Sequence, residues 1–169
     1  MEKNLIQIYQ LEVVRGYTKA NVDRLLQVVL QNASRKLTSD PSSSHYEDSY
    51  CPDSAIVDRI VSDMQEVYPK GRLSLLNKWG HIHEKNMSTN THNHGNADVS
   101  AVTYLSAPKG SGLIHFSPNP LDDYYCSIAP EKGMFLIFPG WIPHSVSRNL
   151  SSEKRVSISF NFKLNLEES

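Results

Sequence analysis

Over residues 155–164 the sequence alternates without a break. Val, Ile, Phe, Phe and Leu hold the even positions; Arg, Ser, Ser, Asn and Lys hold the odd ones. Successive side chains of a strand point to opposite faces, so this period of two predicts a β-strand with one apolar and one polar face. Two arrangements satisfy it. The apolar face can point to the core and the polar face to water. In a sandwich backed by helices, the apolar face can instead lie under the helices while the polar face lines the hollow between two sheets. The alternation alone fits both.

The stretch Gly133-Met-Phe-Leu-Ile-Phe-Pro-Gly-Trp-Ile-Pro-His144 is of another kind. Its five consecutive apolar residues, 134–138, suit a strand buried on both faces. Pro139, Gly140 and Pro143 then stop the ladder and make a tight turn. That turn fixes the side chains that follow, of which His144 is the chemically useful one. Trp141 is expected to plug the end of the barrel.

The chain changes character at Gly71. Before it, residues 5–14 suggest a leading strand or strand pair. Asn21 can cap a helix running to about residue 36 with its stripe at Val22, Leu25, Leu26, Val29 and Ala33. A second helix is expected after Pro52-Asp53, with its stripe at Val57, Ile60, Val61, Met64 and Val67, stopped by Pro69-Lys70-Gly71. The Ser-rich stretch 37–54 is long for a connection in a compact domain, which suggests a lid. After Gly71 come short strand-like runs at 72–83, 99–105, 112–116, 124–128, 134–138, 145–148 and 155–164, separated by Gly-, Pro- and Asn-rich breakers. Two helices followed by such runs predict a β-sandwich or barrel with the helices packed outside one sheet. The expected organisation is one domain over 1–169: strand and helical support in 1–70, β core in 71–165.

Composition narrows the function classes. The formal net charge is -1, which gives no bulk electrostatic reason to expect nucleic acid or acidic lipid. No apolar run approaches bilayer length, and the opening residues lack the apolar core of a secretory signal. Cys51 and Cys126 make no disulfide framework, so a cytoplasmic protein with reduced thiols is expected. Histidine is the unusual residue: four of the seven lie between His81 and His94.

Thr91-His92-Asn93-His94-Gly95-Asn96 places two imidazoles at i and i+2, on one face of an extended segment. Neutral imidazole offers a free lone pair to first-row transition metals. With His144 the pair would make a facial set of three, leaving other positions open. His81-Ile82-His83 is a competing pair, read as mainly structural because no distant partner matches it.

The segment from Trp79 to Phe162 resembles the 2-oxoglutarate- and Fe(II)-dependent oxygenase superfamily, and within it the small oxygenases of bacteria and marine phages. The resemblance rests on His92-Asn-His94 leading into Val-Ser-Ala-Val-Thr-Tyr104-Leu105, then on Gly110-Ser-Gly-Leu-Ile-His-Phe116. It continues through the 133–146 stretch and ends on Arg155-Val-Ser157-Ile-Ser-Phe-Asn161. It implies a mainly β fold, the double-stranded β-helix or jelly roll, with metal and cosubstrate between the sheets. It implies Fe(II) on His92, His94 and His144, and 2-oxoglutarate gripped at its far end by Arg155 and Ser157. Tyr104 is implied as a further cosubstrate contact, and Asn77, Trp79 and Asn161 as pocket residues. An Arg there turns the polar face of 155–164 inward, since a guanidinium makes two charge-assisted bonds to a carboxylate.

The implied partners are 2-oxoglutarate, O2 and an organic substrate, namely a peptide, amino acid or small molecule. The implied reaction is hydroxylation with release of succinate and CO2, with a homodimer as the implied assembly. One departure stands out: most of the superfamily has a carboxylate where this chain has His94. Three assignments stay open there: a three-His site, Asn96 in the carboxylate slot, or Asp98 folding back. The 81–90 segment, like 37–54, is a candidate lid. A cupin-like metal enzyme without 2-oxoglutarate and a non-catalytic jelly-roll module are the alternatives.

Overall fold

The computed structural model describes residues 11–32, 51, 54–117 and 126–165. Among them the element order is β1 (Val14–Tyr17), α1 (Val22–Asn32), α2 (Ala55–Val67), β2 (Arg72–His83), β3 (Thr89–His92), β4 (Val99–Ser106), β5 (Ile114–Phe116), β6 (Cys126–Ile128), β7 (Met134–Pro139), β8 (His144–Val146) and β9 (Arg155–Asn165). Two sheets result. The larger has the order β1-β7-β4-β9-β2 and the smaller β3-β8-β5-β6. All the pairings are antiparallel.

Both helices start where the sequence provides a cap. The Asn21 side chain accepts from Arg24 N at 3.1 Å, and the Ser54 hydroxyl accepts from Val57 N at 3.3 Å. Leu25 and Val29 of α1 and Val57, Ile60 and Met64 of α2 share one core with the outer face of the larger sheet. That core takes Val156, Ile158, Phe160 and Phe162 from β9, Phe135 and Ile137 from β7, and Val99, Ala101 and Leu105 from β4. A buried Asp63 ties α2 to the β1–α1 turn, accepting from the Thr18 hydroxyl at 2.6 Å and Lys19 N at 2.8 Å.

The alternation of β9 therefore resolves in favour of the second arrangement. Its apolar side chains lie beneath the helices, and Arg155 and Ser157 are buried on the other face. The apolar run of β7 is explained the same way. Phe135 and Ile137 face the helices, while Met134, Leu136 and Phe138 face the smaller sheet with Val102, Ile114, Phe116 and Ile142.

Several expectations need correction. The described leading strand is Val14–Tyr17, so residues 11–13 of the expected 5–14 are not strand; residues 1–10 fall outside the described part, as do 33–50 of the expected first helix end and Ser-rich lid. The 81–90 segment is not a lid: it holds the end of β2 and the start of β3. β3, Thr-Asn-Thr-His, escaped notice because an edge strand of polar residues has no apolar period. Trp141 does not plug the barrel; it is 47% exposed, and the fully buried Ile142 fills that end.

Candidate metal and cosubstrate site

The site is built where β3 and β8 meet. His92 closes β3 and stands opposite His144, which opens β8. His94 follows two residues beyond β3, in the connection leading to β4. This turn is clamped to the one that precedes His144: His94 N donates to Gly140 O at 2.8 Å and Gly140 N to Asp98 O at 3.0 Å. A side chain at Gly140 would place its Cβ 2.2 Å from Ala97 O, so only glycine permits the two ligand-bearing turns to approach this closely.

The candidate ligand nitrogens of His92, His94 and His144 all lie within 4.8 Å of one another. Ring centroids are 4.4 Å apart for His92–His144 and 5.1 Å for each of the other two pairs. Metal–imidazole bonds are about 2.1 Å long, so closing by an ångström or two brings the three nitrogens into one coordination shell. Tautomers are set by the backbone. His92 Nδ1 lies 2.8 Å from Asn90 O and His144 Nδ1 3.0 Å from Ile142 O. A carbonyl can only accept, so each Nδ1 carries the proton and each Nε2 keeps its lone pair. His144 is also held neutral: burial first, then the His92 charge, bring its pKa down to about 3, against a smaller opposing effect of the Ile142 carbonyl.

Asp98 takes no part in this set. Its carboxylate accepts from Leu164 N at 3.0 Å and Lys163 Nζ at 3.2 Å on β9. Those partners hold its pKa below the usual carboxylate range. Asn96 is exposed in the turn. Among the described residues, the one group of three or more His, Cys, Asp or Glu able to hold a metal is His92, His94 and His144.

The wall opposite the histidines is read off the register. Inward-facing residues of β4, β9 and β2 align in rows: Ser100, Asn161 and Asn77; Val102, Ser159 and Trp79; Tyr104, Ser157 and His81; then Arg155 beside His83. A narrow hollow between the triad and this wall is lined by His81, His83, Val102, Phe138, Ser157 and Ser159, among others. It opens past His81, Thr89, His92 and His94 into an outer groove of about 460 Å³ walled by Trp79 and by Asn90, Thr91 and Asn93.

Beside His83, in the last row of this wall, sits Arg155, 1% exposed. Its Nη1 donates to Ser111 O at 3.0 Å, its Nε has no hydrogen-bond partner, and no carboxylate among the described residues pairs with it. Burial lowers its pKa only to about 10, so it is charged at neutral pH. Tyr104, in the row beside it, is fully buried, with its phenol pushed up to about 12 by burial. A buried, uncompensated guanidinium is costly, and an anionic ligand in the hollow removes that cost.

The structure thus gathers His92, His94, His144 and Ser157 around one hollow, with Trp79 in the outer groove and with Tyr104 and Arg155 on the same inner sheet face at the rows of His81 and His83. Asn77 and Asn161 lie one row further out, beyond the residues that line the hollow, and Asn161 Oδ1 accepts from the Ser100 hydroxyl at 2.8 Å. The His81–His83 pair enters the hollow after all. It forms wall rather than ligand set: Trp79 Nε1 donates to His81 Nε2 at 2.7 Å, and His83 Nε2 lies 2.8 Å from the Thr89 hydroxyl. Parity would have found it, since Asn77, Trp79, His81 and His83 share one face of β2. Ser111, whose carbonyl accepts from Arg155, had no such signal, since it comes from a loop.

Two sheets enclosing a histidine set, backed by helices on one side, define a jelly-roll protein with a candidate metal site. The family model described as "Putative 2OG-Fe(II) oxygenase" matches residues 77–161, half the chain, and the chain belongs to that family. The viral collagen prolyl hydroxylase of Paramecium bursaria Chlorella virus-1, in a truncated form, superposes with a TM-score of 0.63 at 12% identity, covering 98% of this chain and 99% of its own. Its complex with 2OG gives 0.62 at 11% identity, covering 90% and 96%. An oxidoreductase of the 2OG-Fe(II) oxygenase family from Burkholderia pseudomallei matches at 14% identity and a TM-score of 0.49 over 56% of this chain and 47% of its own, so the chain spans about half the length of that relative. A comparison with curated proteins gives no match. Among the described residues no helix is long and apolar enough to cross a membrane.

Proposed function

We propose that the protein is a 2-oxoglutarate-dependent hydroxylase that holds Fe(II) on His92, His94 and His144 and acts on a peptide, amino acid or small molecule. The observation that carries the proposal is the pairing of two features: three convergent imidazoles, and a buried and uncompensated guanidinium beside His83 on the inner sheet face. Family membership supplies the identity of the two groups that fit between them. With both bound, the chemistry supplied is oxidative: 2-oxoglutarate, O2 and a substrate C–H become succinate, CO2 and a C–OH.

The chain's own residues bind, orient and exclude water. Carbonyls of Asn90 and Ile142 keep His92 and His144 in the tautomer that presents Nε2. Arg155 and Ser157 take the distal carboxylate, with Tyr104 beside them as a neutral hydroxyl donor. Phe116 and Phe138 pack on His144, at ring distances of 6.1 and 4.8 Å, and keep its inner side dry. Trp79 lies 5.5 Å from the His94 ring and faces the outer groove, where substrate would enter. A third imidazole in place of a carboxylate leaves a divalent site one unit more positive, which favours a dianionic cosubstrate. Two cysteines, too few for a disulfide framework, support a cytoplasmic setting.

The direct assay is succinate release from 2-oxoglutarate in air. It should require Fe(II) and be abolished by His144→Ala and by Arg155→Ala. Among the described residues no carboxylate joins the triad, which also favours a second reading, a cupin-like metal enzyme that does not use 2-oxoglutarate. Metal-dependent activity that survives Arg155→Ala unchanged would select it.

A further inference from the structure

A second groove opens at one end of the smaller sheet. It shares no lining residue with the hollow of the histidines or with the outer groove. Its volume is about 690 Å³, and residues 107–113, 129, 130, 147, 148 and 150 line it. Leu113 stands between its two sides. It precedes Ile114 of β5, which pairs with Ile128 of β6 on one side and Val146 of β8 on the other. His144 lies opposite Phe116, three residues along from Leu113, which puts the groove about 10 Å down the sheet from the triad.

The groove is fixed before any ligand arrives. Leu150 N donates to Gly110 O at 2.9 Å, Ser147 N to Leu113 O at 2.9 Å, and Leu113 N to the Ser147 hydroxyl at 2.8 Å. Gly112 has φ +92°, and a Cβ there would lie 2.3 Å from Ser147 O, so only glycine lets the two segments close on each other. Ser111 O accepts from Arg155 Nη1, which ties the same loop to β9. A preformed cleft binds without the cost of ordering its walls.

Two kinds of surface meet in it. Leu113 is 38% exposed and Leu150 69%, and Pro108, Ala129 and Pro130 continue the apolar lining. Lys109 and Arg148 add two cations, and no acidic side chain is among the lining residues. Among the described residues neither cation has an ion-pair partner. Apolar surface beside uncompensated positive charge is complementary to an amphipathic anion. A carboxylate head offers one oxygen to each cation. Size separates a small molecule from a protein partner. The volume falls in the range of small-molecule sites, about 300–1,000 Å³, whereas a stable protein interface takes about 20–30 residues a side and this groove has twelve.

We propose that this groove is a second binding site, for a small amphipathic carboxylate whose apolar chain packs on Leu113 and Leu150 and whose head pairs with Lys109 and Arg148. The site involves neither the metal nor 2-oxoglutarate, so it stands or falls apart from the oxygenase reading.

Calorimetric titration of the full chain with dodecanoate, below its micelle concentration, tests this. Dodecylammonium, with the same chain and the opposite charge, is the comparison. Wild type should bind dodecanoate at least about tenfold more tightly than dodecylammonium. Lys109→Glu combined with Arg148→Glu should reverse that preference and weaken dodecanoate at least about tenfold. Both side chains are exposed, so far-ultraviolet circular dichroism should stay unchanged. Leu150→Asn should weaken both probes alike, about threefold or more. The proposal is overturned by a wild type that binds no dodecanoate or binds both probes equally. Dodecanoate affinity that survives either the double charge reversal or Leu150→Asn overturns it too, because the ligand then sits elsewhere.

Discussion

His94 is the residue on which the chemistry of this site turns. It occupies the place where a carboxylate is expected, and the acidic alternative, Asp98, is committed to Leu164 and Lys163. His94→Ala should lower Fe(II) affinity by at least about 10–100-fold, the size of effect seen on losing even an indirect ligand partner; metal titration against a chelator checks this. His94→Asp should keep the metal yet weaken 2-oxoglutarate, because the site loses its extra positive charge. His144 adds a pH dependence. Its folded pKa, about 3, lies below the ordinary imidazole value, so below about pH 6.5 the unfolded chain binds more protons than the native one. The metal-free protein should therefore lose stability as pH falls from about 6.5 towards 3, by up to about 1.4 kcal/mol per unit from this residue. His144→Phe should flatten that part of the profile in denaturant melts. The convergent histidines, the candidate ligand set, were legible as an H-x-H pair plus a distant His. The roles of the Asn90 and Ile142 carbonyls were not, since a backbone acceptor leaves no trace in residue identity.

Elements place these residues, and their periods carried most of the legible information. β9 is the clearest case, with its inward and outward faces both written in the alternation. The choice between them is settled by packing: Val156, Ile158, Phe160 and Phe162 join the helix-side core, and Arg155 and Ser157 are buried on the other face. β2 shows the complementary failure: Trp79 and Asn77 were picked out while His81 and His83, of the same parity, were set aside. At the other end, Gly140 holds two elements together. Gly140→Ala puts a methyl group where Ala97 O lies, and the His94 turn must move away from the His144 turn. The expected result is a folded protein whose metal affinity falls about 10–100-fold, with far-ultraviolet circular dichroism unchanged. β3 was invisible because its pairing with β8 through Thr89 and His92 draws on no apolar pattern.

The whole molecule separates support from chemistry. Helices and the outer face of the larger sheet make one core; the hollow between the sheets holds the site and the second core. Phe160, fully buried on the helix side, should test this division. Phe160→Ala should cost about 3–5 kcal/mol of stability in denaturant unfolding yet leave the metal affinity of the folded protein unchanged. The division was readable at the level of helical stripes before Gly71 and strand periods after it. The sheet order was not, because pairings such as β1 with β7 join distant segments whose register no local pattern encodes. The central proposal is that His92, His94 and His144 share one metal-bound ligand with Arg155. Adding 2-oxoglutarate to the Fe(II) protein without oxygen tests it most directly. A visible metal-to-ligand absorption band should appear in wild type and vanish in both His144→Ala and Arg155→Ala. A wild-type protein that binds Fe(II) but gives no such band, or a band untouched by Arg155→Ala, would contradict it.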